Sequence, residues 1–159
     1  MAENHKIYQD RNFRLVSHRN VMIAVWSDAP TLPQVRILHR EADQFAKQNP
    51  SGQAFVNLIT GGVPVFTEAV RDELVKMIKS TTNFTLGSAH VLLVTGMTGS
   101  AVRAFMSTVM LLARPKAPNR VFATIADAVT WVHGRLGGMQ AQWTGNELRD
   151  AIEEAKRDR

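Results

Sequence analysis

Two strand–turn–helix units constrain this chain more than any other feature. In the first, the run AFVNLI at Ala54–Ile59 holds a single polar residue, Asn57, which is how a strand covered on both faces reads. TGGVPVFT follows, with two glycines and a proline, so the chain turns there. Apolar residues then recur at Val70, Leu74, Met77 and Ile78, a helical spacing that predicts a helix over about Thr67–Ser80. The second unit repeats the pattern. HVLLVT at His90–Thr95 reads as a buried strand and GMTGS as a turn, and Val102, Phe105, Met106, Val109 and Met110 form one helix face. Chains built this way need a mainly parallel sheet with helices packed on it. Such sheets bind ligands outside the carboxyl ends of their strands.

The remaining segments fit around these units. Phe13–His18 and Val21–Trp26, joined by His18-Arg19-Asn20, predict a β-hairpin that makes one edge antiparallel, and Lys6–Gln9 extends that edge. Thr31 caps a helix whose apolar face is Val35, Leu38, Ala42 and Phe45, and Asn49-Pro50-Ser51-Gly52 ends it. Thr81–Ser88 reads as a loop, and Arg120–Ala123 as a last short strand. Thr124 with Asp127 opens a helix that halts at Gly137-Gly138. Met139–Trp143 is a linker. Thr144 and Glu147 then form a capping box for a charged helix with one narrow apolar stripe, Leu148, Ala151, Ile152 and Ala155. The expected architecture is therefore α/β: a mixed, mainly parallel sheet with an antiparallel edge hairpin, covered by helices. Residues 1–138 form one domain. Residues 139–159 are a linker and an amphipathic C-terminal helix, appended to a sheet expected to fold without it. That helix is too short and polar to stand alone, so it docks on its own domain or on a second copy.

Composition narrows the function classes. The chain has no cysteine, which removes disulfides, thiolate metal sites and cysteine nucleophiles and fits a reducing compartment. The first ten residues, MAENHKIYQD, lack a signal-peptide core, and the apolar runs fall short of a membrane span. A cytoplasmic, soluble protein is expected. The net charge is +5, with nineteen Lys and Arg against fourteen Asp and Glu. The cations are scattered along the sequence, which favours a solvated surface over a nucleic-acid footprint.

The hairpin RLVSHRNVMIAVW, the pair AFVNLI and AHVLLV with their helices, and RVFATIADAVTWVHGRL together resemble the STAS fold of SpoIIAA-like proteins. That family includes bacterial anti-sigma-factor antagonists. The resemblance covers residues 12–136. It implies a non-enzymatic regulatory or scaffolding module without a cofactor, whose partner is a protein such as a kinase-like or anti-sigma-type regulator, and which can form a homodimer. Family antagonists are phosphorylated on a Ser or Thr opening the helix after the strand that corresponds to Ala54–Ile59, within Asp-Ser-Ser-Gly or a close variant. This chain has Thr60-Gly61-Gly62 there, and Thr67 is the positional match for the acceptor. Relatives without the motif resemble lipid- or small-ligand-binding domains, the alternative function.

Each candidate residue has a plainer reading beside it. A phosphate on Thr67 would meet the free N–H groups at a helix start and add negative charge to a partner-facing surface. The hydroxyl can equally serve only as a cap. Thr60, Gly61 and Gly62 bring bare backbone to a partner or simply make a turn. Val63, Val65 and Phe66 either plug the core or form a contact patch. Gly96, Thr98, Gly99 and Ser100 occupy the place of an anion-binding turn, without a P-loop lysine and without GxGxxG or GxSxG spacing. Met106 and Met110 read as core or as the wall of a cavity beneath their helix. His39 and Asp43 form an i,i+4 surface pair, not a metal site. No two carboxylates can be assigned to one cleft, so acid–base catalysis has no named actors.

Overall fold

The structure is a computed structural model that describes residues 4–62, 65–136 and 144–157. Among these residues the chain forms six strands in one sheet, ordered as they occur in sequence. They are β1 (His5–Gln9), β2 (Phe13–His18), β3 (Val21–Trp26), β4 (Gln53–Ile59), β5 (Thr85–Leu92) and β6 (Asn119–Phe122). The β1–β2 and β2–β3 pairs are antiparallel, and the three pairs from β3 to β6 are parallel. The mixed α/β sheet with an antiparallel edge is the expected architecture. β4 and β5 are neighbours in register, with Asn57 opposite His90 and Leu58 opposite Val91.

Five helices complete the chain: α1 (Leu32–Gln48), α2 (Glu68–Thr81), α3 (Gly96–Ala113), α4 (Ile125–Arg135) and α5 (Gly145–Arg157). Sequential parallel strands joined by right-handed crossovers put every crossover helix on the same face. α1, α2 and α3 accordingly share one face, and α4 and α5 cover the other, as the two apolar clusters show. Because the order never reverses between β3 and β6, these parallel strands lack the switch-point crevice of doubly wound sheets.

Capping fixes the helix starts. Thr31 Oγ1 accepts from the Gln34 N–H at 3.4 Å, and Gln34 Oε1 accepts from the Thr31 N–H at 3.0 Å. Thr124 Oγ1 accepts from the Asp127 N–H at 3.2 Å, and Thr144 Oγ1 from the Glu147 N–H at 3.2 Å.

Three segments differ from the sequence expectation. Thr85–Ser88, expected as loop, is the first half of β5, and the strand stops at Leu92 instead of Thr95. Gly87 belongs in it for a packing reason: a Cβ there would lie 3.0 Å from the Trp131 ring of α4. α3, with 18 residues and a mean hydropathy of 1.2, has the length and composition of a membrane span, although its runs are individually short. In the fold it packs beside α2. The C-terminal helix docks on its own domain, one of its two expected placements, and does so as part of the main core, not as an appendage to it. Leu148 and Ile152 are completely buried, and Ala151 and Ala155 nearly so, against Val16, Val21, Ile23 and Val25. Glu147 also accepts from Arg19 Nε at 2.7 Å and pairs with His18 Nε2 at 2.9 Å, and Arg14 donates to the Ala155 carbonyl. A sheet stripped of α5 would expose four apolar strand residues, so α5 completes the fold. The linker 139–143 and the stop at Gly137-Gly138 lie outside the described residues.

Candidate functional site

The two faces of β4 and β5 carry different chemistry. Toward α4 and α5 point Ala54, Val56, Leu58, Ala89 and Val91, all fully buried and apolar. Toward α2 and α3 point Gln53, Phe55, Asn57, Ser88 and His90, and beneath α3 they line a cavity of about 130 Å³. Its walls are Phe66, Leu74, Met77 and Ile78 from the α2 side and Val102, Phe105, Met106, Val109 and Met110 from α3. Phe66 and Phe105 stack with centroids 4.0 Å apart and planes 10° from parallel, closing one wall. The lining runs from Asp28 and Gly61 near the carboxyl ends of the strands to Gln53, Thr85 and Pro115 near their amino ends. It is a slot along the strands, and among the described residues Asp28 is the one carboxylate lining it.

A line of polar side chains crosses the floor of this slot. Trp26 Nε1–H donates to Asn57 Oδ1 at 2.8 Å, and Asn57 Nδ2 lies 3.4 Å from His90 Nδ1. His90 Nε2 lies 2.9 Å from Asn119 Oδ1, and Asn119 Nδ2 donates to the Ala117 carbonyl at 3.2 Å. Every donor meets an acceptor only if His90 is neutral with its proton on Nε2. Burial drives the His90 pKa in the same direction, below the ordinary value, against the opposing pull of the Asn119 hydrogen bond. The floor is thus polar and carries no charge near neutral pH. One acceptor stands apart from the line: Gln53 is 5 % exposed, and its Oε1 is buried with no hydrogen-bond partner. An unmatched buried acceptor costs about 1–3 kcal/mol.

The residues singled out in the sequence fall around this slot. Thr67 is an exposed N-cap whose Oγ1 accepts from the Val70 N–H at 3.2 Å, so its capping role is in place. Thr60 donates to the Trp26 carbonyl at 3.0 Å. Gly62 has φ +114°, and a Cβ there would sit 2.6 Å from Asp28 Cα, so the turn needs glycine to pass the β3–α1 connection. Gly61 and Gly62 line the slot. Val65 is 60 % exposed, whereas Phe66 is half-buried in the Phe105 stack, so the two do not form one patch. Val63 lies outside the described residues. Gly96, Thr98, Gly99 and Ser100 form the first turn of α3 itself. A Cβ on Gly99 would approach the Val94 carbonyl oxygen to 2.9 Å, which accounts for that glycine by packing. Thr98 lines the slot, and Met106 and Met110 are part of its wall.

Sequence reasoning missed the floor. Asn57 is the polar residue of its run, and nothing local in the sequence pairs His90; only the β4–β5 register and the β6 pairing bring Asn57, His90 and Asn119 together. His39 gains partners the sequence did not offer. It pairs with Glu73 through Nδ1, and its Nε2 lies 3.3 Å from Asp43 and 3.2 Å from Ser80 Oγ. This serine–histidine–carboxylate order has the connectivity of a hydrolase triad. It bridges α1 and α2 away from the slot, and the Ser80 hydroxyl donates to Asp43 and the Met77 carbonyl, so it ties two helices together.

No family model matches the chain, and no curated protein matches it.

Proposed function

We propose that this protein is a non-enzymatic binding module for a small, uncharged, largely apolar molecule that carries one hydrogen-bond donor. The observation that carries the reading is a slot with apolar walls over an uncharged polar floor, one of whose lining residues, Gln53, holds a buried acceptor, Oε1, without a partner. A hydroxyl or N–H on the ligand would satisfy it and recover its desolvation cost. The body of the ligand would lie against Phe55, Phe105 and Met106, where methionine adapts to shape at little cost. Uncharged ligands are favoured because an ion over the neutral floor would lose its hydration without a counter-charge there; among the described residues no Lys or Arg lines the slot, and its one carboxylate, Asp28, sits near the strand ends. The volume suits a ring or a short chain, since an apolar cavity of about 150 Å³ holds benzene. The STAS/SpoIIAA-like resemblance supports the same non-enzymatic class. Regulation by protein contact at residues 60–70 is a second reading, favoured by the exposure of Val65 beside the exposed Thr67.

The test uses three single-ring probes: phenol, anisole and benzenesulfonate. Phenol is expected to raise the thermal midpoint most, anisole less and the sulfonate not at all. Gln53→Leu should erase the advantage of phenol over anisole. Equal effects of all three probes, or none, would sink the reading, as would native mass spectra of fresh protein in which phenol never adds mass.

A further inference from the structure

The net charge of this protein is unevenly distributed. Between Leu74 and Ala126 there is no Asp or Glu, while Lys76, Lys79, Arg103, Arg114, Lys116 and Arg120 all lie there. That stretch carries +6, against +5 for the whole chain, so the rest of the molecule is close to neutral at −1. All six cations are exposed. The stretch contains β5, α3 and β6, so three of the cations gather where α3 ends and the edge strand begins.

Apolar side chains are exposed at the same place. α3 buries only Gly99, Val102, Val109 and Ala113 of its eighteen residues. In its last turn Leu111 is 73 % and Leu112 45 % exposed, and Val121 on β6 is 37 % exposed. Arg114 and Lys116 follow within five residues of Leu111, whereas Arg120, paired with Ala89, turns to the α4 side of the sheet, away from Val121. Lys116 donates to Asn83 at 2.8 Å, and Arg120 lies 5.4 Å from the Phe122 ring centroid, so neither is neutralised by a carboxylate in those contacts.

From this arrangement we infer that the C-terminal end of α3 docks on an anionic lipid surface, with Leu111 and Leu112 entering the headgroup boundary and Arg114 and Lys116 contacting lipid phosphates. Apolar residues inside a basic rim are what such a surface selects. Other occupants fit less well. A second copy meeting through this face would bring two strongly cationic surfaces together. Nucleic acid would leave exposed leucines against its phosphates. The inference is independent of the ligand reading, since it uses none of the charge or chemistry inside the slot.

The experiment is flotation of the full chain with two kinds of vesicle: phosphatidylcholine alone, and phosphatidylcholine containing a quarter phosphatidylserine. Binding to the anionic vesicles and not the neutral ones is expected, weakening as salt is raised. Each of Arg114→Gln and Lys116→Gln should lower the partition coefficient about fivefold. The pair Leu111→Asp and Leu112→Asp should abolish binding, with circular dichroism checking the fold; were that pair unfolded, the two exposed charge variants still decide the matter. Arg149→Gln and Arg157→Gln on α5 are the controls and should change nothing. Equal binding to both vesicles, no binding to either, or loss of binding in the α5 variants would overturn the inference. So would tighter binding to duplex DNA, or dimerisation through this face in place of lipid binding. A failure here with phenol still stabilising the protein would remove the membrane and leave the ligand site standing.

Discussion

β4 and β5 present two faces to two helical layers, and the layers are packed for different ends. Beneath α4 and α5 the strand residues are apolar and fully buried, and the two helices place Ala128, Val129, Val132, Leu148 and Ile152 directly on them. Beneath α3 the same strands offer Asn57, Ser88, His90 and an unpartnered Gln53 to a slot. Both faces hold buried apolar clusters, but among the described residues only the side of β4 and β5 toward α2 and α3 borders a slot, and there the two strands carry their polar side chains.

The contrast can be broken from either side, and the face beneath α4 and α5 should respond most. Removing residues 144–157 should abolish cooperative unfolding in urea; a retained sharp transition would show that α4 covers the sheet alone. Ile152→Ala should lower unfolding stability by about 2–5 kcal/mol, the range for a completely buried aliphatic that leaves a cavity. On the slot floor, Asn57→Leu leaves the Trp26 N–H and His90 Nδ1 unmatched and should cost about 1–3 kcal/mol in the same measurement. Gln53→Leu should go the other way, neutral or slightly stabilising, because it replaces an unsatisfied acceptor by an apolar group. A loss as large as that of Ile152→Ala would mean that Gln53 is a packing residue and not a ligand acceptor.

The smallest expected effect is on pH dependence. Hydrogen bonds from Arg19 and then His18 hold the Glu147 carboxyl below its ordinary value of 4.5. A depressed folded pKa means that this contribution is present above 4.5 and disappears as pH falls through the lower folded value. Glu147→Gln should therefore reduce stability near neutral pH and flatten its acid dependence. His90 acts in an earlier window. Its folded pKa is lowered from 6.5, so the unfolded chain binds more protons below that pH and stability declines as pH drops past it. Glu147→Gln unfolding with an unchanged acid slope would place that slope on His90 and not on the α5 latch.

Much of the scaffold was legible before any coordinates. β4 was readable because one polar residue in a six-residue apolar run leaves little but a buried strand. The starts of α1, α2, α4 and α5 were readable because Thr caps and three-residue spacings are local devices. The α5 stripe was also read correctly, since a narrow apolar face on a charged helix has to be buried somewhere. The first half of β5 was not readable. Thr85, Gly87 and Ser88 look like loop residues, and only the close passage of Trp131 explains a glycine inside the strand.

What the sequence by itself determined is therefore the set of elements and their order, because periodicity and capping act over a few residues. The slot, its neutral polar floor and the basic edge were decided by tertiary structure. Asn57, His90 and Asn119 lie 33 and 29 residues apart in the chain and meet only through strand register. Gln53 became an orphan acceptor only when α2 and α3 closed over it. Hydrogen bonding and burial depend on who the neighbours are, and in a parallel sheet every neighbour comes from a distant part of the chain.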